Sequence, residues 1–252
     1  MPDAYVKSEF HKGIRTIEFF HPRSNSLPGN LLRELALAIT HGGEDPDTRV
    51  IVLRSAGEKA FCAGASFDEL ISIRNQEEGL RFFSGFAHVI NAMRTCPRII
   101  IGRIQGRCVG GGVGLAAATD YAIATETAEV KLSELAVGIG PFVVGPAVER
   151  KMGVSAFSQL ALDAGNWRTA EWARKHGLFA EVHTGAEALD ESIRRLSDAL
   201  VHSSPEAMAE MKKIFWQGTD HWETLLAERA AISGRLVLST FTREAIEKFK
   251  NG

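Results

Sequence analysis

Cysteine is scarce in this chain. Cys62, Cys96 and Cys108 are an odd number, too few for a disulfide framework, and such usage suits a reducing cytoplasm. No sign of charge dominates: 29 lysines and arginines face 31 acidic residues, a net of -2, which leaves no electrostatic footprint for nucleic acid. Long apolar runs are missing too. The most apolar stretch, residues 98–120, is broken by Arg103, Arg107 and a run of glycines, well short of the roughly 18–20 residues a membrane span requires. The opening MPDAYVKSEF has no apolar core of a secretory signal. His88, His176, His183 and His202 show neither HxxxH nor Cys–His spacing, so no metal site is assigned. No repeat or low-complexity segment interrupts the chain. These absences predict a soluble, cytoplasmic protein that avoids membranes and nucleic acid.

What is present suits one large domain or two small ones, with 45% hydrophobic and 24% charged residues over 252 positions. Two β-like runs, residues 5–10 and 14–20, flank a turn at Lys12–Gly13. Leu31, Leu32, Leu35, Ala36 and Ile39 share one helical face, and Gly42–Gly43 is expected to end that helix. Residues 50–53 form a continuous apolar run of strand length, as where a strand is covered on both faces. Leu80, Phe83, Phe86, Ala87, Ile90 and Met93 mark a longer helix before Pro97. Strand-like and helix-like segments then alternate to about residue 145, which argues for an α/β fold; beyond it the pattern is mostly helical, with Ser204-Pro205 opening one helix. We expect an α/β body over 1–200 and a helical part over 201–252.

Two segments carry the chemistry. Residues 59–65, KAFCAGA, place small residues where backbone amides can approach a ligand, although a tight turn after a strand has the same composition. Residues 105–120, QGRCVGGGVGLAAATD, put Gly110, Gly111 and Gly112 between a strand and a helix, where free N–H groups stabilise negative charge; close helix–strand packing would also ask for glycine. The spacing matches neither a dinucleotide fingerprint nor a Walker A loop. Taken together, one N–H from each segment could grip a carbonyl oxygen as it turns into an oxyanion, each donor worth about 3–4 kcal/mol in the transition state.

At these residues the chain resembles the crotonase (enoyl-CoA hydratase/isomerase) superfamily. KAFCAGAS and QGRCVGGGVGLAAATD look like its two oxyanion-hole segments, SELAVGIGPFVVGP at 133–146 like its catalytic segment, and HPRSNSL at 21–27 like its early CoA-contacting loop. The resemblance spans nearly the whole chain. It implies a repeated β–β–α spiral core, a C-terminal trimerisation region with a homotrimer or dimer of trimers, an acyl-CoA substrate, and no metal or redox cofactor. It assigns the oxyanion amides to Ala63 and Gly111. It also implies contact between CoA and the backbone of Ala63, Gly64, Ala65 and Ser66, with Ser66 standing where an aspartate is common. Arg23 and Lys59 are candidates for the CoA phosphates. Asp68 and Glu69 are candidates for the acyl pocket, with helix capping as the plainer role.

The pattern departs from a hydratase in one chemically telling way. Hydratases of this type hold water with two glutamates; here the first position is Gly114 and only the second, Glu134, is kept. The glycine-rich PGAGG-like segment is also replaced, by Pro141-Phe142-Val143-Val144-Gly145. Adding water needs a base for the water and an acid for carbon, whereas moving a double bond needs one group that lifts a proton and returns it. A single carboxylate with a pKa raised by burial suits that task. The expectation is an enzyme shifting a 3-enoyl-CoA double bond to the 2-position, with Glu134 as base and Phe142 beside the acyl group. Hydration or dehydration, decarboxylation, and CoA-thioester binding without turnover are the alternatives; no serine sits in a nucleophile context for a peptidase. A glutamate introduced at position 114 is expected to point to the missing carboxylate's place. The apolar series Trp222, Leu225, Leu226, Ile232, Leu236 and Val237 exceeds what a terminal segment needs to cover itself, and suggests an oligomer.

Overall fold

A computed structural model describes residues 3–251. Strands β1 (Tyr5–His11) and β2 (Ile14–Phe20) form the expected hairpin, turned at Lys12 and Gly13, both at positive φ. Beyond it the chain repeats one move. β3 (Val50–Ser55) is followed by the short β4 (Ala60–Cys62), β5 (Ile99–Ile104) by β6 (Arg107–Val109), and β7 (Tyr121–Thr125) by β8 (Val130–Lys131). The first of each pair joins a six-stranded sheet ordered β1-β2-β3-β5-β7-β9, parallel from β2 onward, with β9 at Glu181–His183. The second joins a three-stranded parallel sheet, β4-β6-β8. Helices fill the returns: α1 (Gly29–Glu44), α2 (Phe67–Ser72), α3 (Gln76–Thr95), α4 (Gly111–Ala118) and α5 (Gly145–Leu162). The expected α/β spiral of repeated β–β–α units is therefore the architecture of the chain.

Both faces of the large sheet are covered, which is why its strands are apolar without alternation. Ile51, Leu53 and Ile100 pack with α1 and α3 in one core. Val50, Val52, Ile99, Ile101 and Ile123 face the opposite way, onto Leu189 and Ile193 of α7 (Gly185–Val201) and Met208 of α8 (Pro205–Phe215). Lys212 of α8 fastens that layer. Its ammonium lies 2.8 Å from Asp120, with both side chains 3% exposed, and also donates to the Arg98 carbonyl. The Trp216 indole and the Ile100 amide complete the Asp120 carboxylate.

One expectation changes. The first helix does not stop at Gly42–Gly43 but runs to Glu44: a Cβ at Gly42 would stand 2.8 Å from Arg15 Cδ, and one at Gly43 2.9 Å from Cys96 Sγ, so the pair serves close packing. The boundary near residue 200 falls at the end of α7, and the helices beyond it close onto the same body, α9 (Trp222–Leu236) lying along α3. Of the apolar series at this end of the chain, Trp222, Leu226 and Val237 are buried, while Leu225, Ile232 and Leu236 are half-buried. The remaining helices are α6 (Ala170–Lys175) and α10 (Thr240–Asn251).

The α3–α9 crossing depends on two bare backbones, since a Cβ at Gly79 would lie 2.7 Å from Gly234 Cα. Gly234→Ala, whose methyl would meet the Leu80 amide at 2.8 Å, is expected to cost about 1–3 kcal/mol as an overpacked core does, read as a lower urea midpoint at unchanged m-value.

Candidate active site

The loop leaving β4 is set by Leu27. The Leu27 amide donates to Gly64 O at 2.8 Å and its carbonyl accepts from Ser66 N at 3.2 Å. Both bonds use Leu27's own groups, so Ala65, between those partners, turns its N–H away from the bridge. That amide has no acceptor among the described residues. Ala63 differs: its N–H donates to Ser24 O at 3.2 Å. The Ala63 amide, the expected first oxyanion donor, is thus committed to Ser24, whereas the Ala65 amide two residues on is left unbonded. Gly64 makes the turn possible at φ +86, and a Cβ there would lie 2.9 Å from Val109 O and 3.4 Å from Gly111 N.

The second loop meets the first edge to edge. Gly110, at φ +51, takes the chain from β6 into α4, and Gly112 packs so closely on β4 that a Cβ would stand 2.2 Å from Cys62 O. The amides of Gly110 and Val113 are bonded to Lys131 O and Gly110 O; that of Gly111, at the start of the helix, has no acceptor among the described residues. Ala65 and Gly111 both line one cavity of about 890 Å³. Cys62, at the end of β4, is buried, and burial pushes its thiol up to about 12.

Glu134 opens a short 3-10 turn (Glu134–Val137) directly after β8, and Ile139 N closes back onto its carbonyl at 3.0 Å. Its carboxylate lies over Gly110, where a Cβ would come 3.0 Å from Oε1. Oε2 is sealed from solvent and has no hydrogen-bond partner. Burial, offset in part by a bond from its own amide, raises the carboxyl from 4.5 to about 7. Much of the lining is apolar, including Phe82, Phe83 and Phe86 of α3 and Phe142, Val143 and Val144. Along one side of α10, Phe241, Glu244, Ala245 and Lys248 complete the enclosure, and Thr242 fixes that helix by donating to Gly138 O at 3.2 Å.

Of the sequence-predicted residues, Ala63, Gly64, Ala65, Gly111, Glu134 and Phe142 come together on this cavity. Arg23 and Ser66 do not. Arg23 is solvent-exposed and ion-paired with Asp68. The Ser66 hydroxyl accepts from Glu69 N as the cap of α2, and its amide is committed to Leu27. Lys59 is exposed away from the cavity, and Glu69 accepts from Gly29 N at the start of α1, a capping role in a neighbouring helix. Position 114 also departs from expectation. Gly114 does not line the cavity, and a Cβ there would meet Val144 Cγ1 at 2.5 Å. Sequence reasoning missed Val144 and the cavity-lining side of α10; the adjacent Phe82 and Phe83 on an amphipathic helix were the one signal of an aromatic wall.

Several known proteins are similar to this chain. The model of the enoyl-CoA hydratase/isomerase family matches residues 9–251. The chain is 29% identical to the hydratase/isomerase-family protein YngF of Bacillus subtilis, over 97% of this chain and 93% of that one. It is 28% identical to a carnitinyl-CoA dehydratase of Proteus mirabilis, over 77% and 73% of the respective chains. The crystal structure of an enoyl-CoA hydratase from Bacillus halodurans superposes with a TM-score of 0.89 at 23% identity, covering 97% of this chain and 99% of that one, a likeness of fold.

The buried carboxyl has a thermodynamic signature. Between 4.5 and about 7 the folded chain keeps a proton that the unfolded chain has released, so stability falls as pH rises through that interval and levels off above it. Glu134→Gln removes the penalty. It is expected to stabilise the fold by on the order of 2–3 kcal/mol at pH 8.5 and by almost nothing at pH 4.5, measured by urea unfolding at both pH values.

Proposed function

Since the chain belongs to the enoyl-CoA hydratase/isomerase family, we propose that it moves the double bond of a 3-enoyl-CoA to the 2-position, with Glu134 as the proton carrier. The observation that carries this reading is Glu134 Oε2, a buried carboxylate oxygen with no partner at the cavity wall and no second carboxylate at position 114. The thioester oxygen fits between the amides of Ala65 and Gly111. Ionised Glu134 takes a proton from C2, and the C–H electron pair moves through the carbonyl carbon onto that oxygen, giving a dienolate held by two N–H donors. When the carbonyl re-forms, the electron pair returns through the conjugated system to C4, which recovers the proton from Glu134, and the double bond lies between C2 and C3. Nothing is gained or lost, so one carboxyl suffices. Two further features support isomerisation over hydration: the amides of Phe142 and Gly145, in the segment that would hold a water, are already bonded to Gly140 O and Pro141 O.

A carboxyl near 7 is balanced between taking and returning a proton at neutral pH. Glu134→Gln should lower kcat for a 3-enoyl-CoA on the order of 100- to 10,000-fold while leaving the Kd for the acyl-CoA nearly unchanged. A variant that keeps more than half of the wild-type rate rules Glu134 out. Because the base is the ionised form, kcat/KM of the wild type should rise with pH and reach half its plateau near 7; a flat profile from pH 5 to 9 contradicts the assignment. The same preparations assayed with 2-enoyl-CoA measure hydration, the reaction class nearest to that named for the carnitinyl-CoA dehydratases. Faster hydration than isomerisation by the wild type would reverse the reading.

A further inference from the structure

We infer that Val144 is a specificity-determining residue: its isopropyl group fills the space between position 114 and the cavity, and so keeps both a second carboxylate and a reacting water away from Glu134. This rests on the isomerase reading above. It explains what the missing glutamate alone leaves open, since a cavity lacking one carboxylate could still admit water.

The geometry is specific. Val144 is 4% exposed and lines the cavity, whereas Gly114 is buried behind it. A Cβ on Gly114 would stand 2.5 Å from Val144 Cγ1 and 2.7 Å from its Cβ, well inside contact distance. Val144 is held there from both sides. It immediately precedes α5, its carbonyl accepts from Val148 N at 3.1 Å, and the turn before it is closed by Gly145 N on Pro141 O at 2.8 Å. A branched side chain on so constrained a backbone has little freedom to swing away. The neighbouring surfaces, Phe142 and Val143, offer water no side-chain partner, and a water needs two or more polar groups to settle.

Hydration differs from isomerisation in what that space must hold. Water's oxygen bonds to C3 while one of its protons passes to a carboxylate. The C2–C3 electron pair moves through the thioester to its oxygen, and C2 then takes a proton as the carbonyl re-forms. A water positioned at C3 beside Glu134 is the requirement that Val144 denies. It follows that Gly114→Glu alone should not confer hydration, because the new side chain meets Val144 before it reaches the cavity.

The test measures hydration of a 2-enoyl-CoA and isomerisation of the matched 3-enoyl-CoA in the wild type, Val144→Gly, Gly114→Glu and the double variant; glycine is needed at 144 because alanine would keep the Cβ that lies 2.7 Å from a Cβ at 114. The ratio of hydration to isomerisation should rise about tenfold in Val144→Gly, stay at the wild-type value or fall in Gly114→Glu, and rise about 100-fold in the double variant. Gly114→Ala, with and without Val144→Gly, guards against misfolding. The methyl group should lower the melting temperature only while Val144 is present, and a loss that persists in both backgrounds overturns the packing argument. An unchanged ratio in folded Val144→Gly and double variants that still isomerise overturns the inference and leaves the isomerase reading standing. A wild type that hydrates but does not isomerise overturns the reading itself.

Discussion

Two backbones touch in this molecule with no side chain between them, and the site depends on that contact. Gly64 rests against Val109 O, and Gly112 against Cys62 O, at separations that no other residue could reach. The contact sews the small sheet β4-β6-β8 to the start of α4, and it turns the Ala65 and Gly111 amides toward one cavity. A donor pair of this kind costs nothing to reorganise during reaction, because both N–H groups belong to rigid elements rather than to rotamers. The three glycines are each committed differently: Gly110 to a positive φ under Glu134, Gly111 to the Phe86 ring, and Gly112 to β4.

Two acids of the chain, Asp120 and Glu134, show how differently an enclosed carboxylate can be treated. Asp120 is enclosed, and every demand of its carboxylate is met by the Lys212 ammonium, the Trp216 indole and the Ile100 amide. It behaves as a rivet between α8 and the β5–β7 edge. Glu134 has the same chemistry and the opposite treatment, with one oxygen left bare beside an apolar wall. Burial without a partner is unfavourable for the fold, as the raised carboxyl indicates, and the same feature is what a proton carrier near neutral pH requires.

Much of this was legible in the chain. The hairpin, the unbroken apolar strand at Val50–Leu53 and the two small-residue loops follow from period, turn chemistry and the need for bare backbone. Glu134 was placed by its motif. What escaped was register. Ala63 and Ala65 look alike in composition, and only the bridge to Leu27, a contact 38 positions away in sequence, decides which amide is spent on Ser24 and which remains free. The same limit hid the coverage of α9 by α3 and the collision of position 114 with Val144, since both join segments that no local pattern connects. Gly42–Gly43 shows the converse: a stop signal in isolation became a packing device once Arg15 and Cys96 stood beside it.

That division of labour has a consequence for how such a scaffold changes its chemistry. On the proposed reading the oxyanion donors are main-chain groups, so side-chain replacement leaves them in place provided that the glycines remain. The proposed proton carrier is one side chain on a short turn, and the remaining choice, whether water enters, falls to whatever fills the space around it. Here those are Phe142 and Val144, with Gly114 behind the latter, and none of the three bonds to the Ala65 or Gly111 amide. Substitutions there can redirect the fate of an enolate without disturbing the step that forms it. On that reading the acyl-CoA chemistry is set by backbone while the reaction outcome is set by packing, and the single side chain at position 144 lies on the boundary between the two.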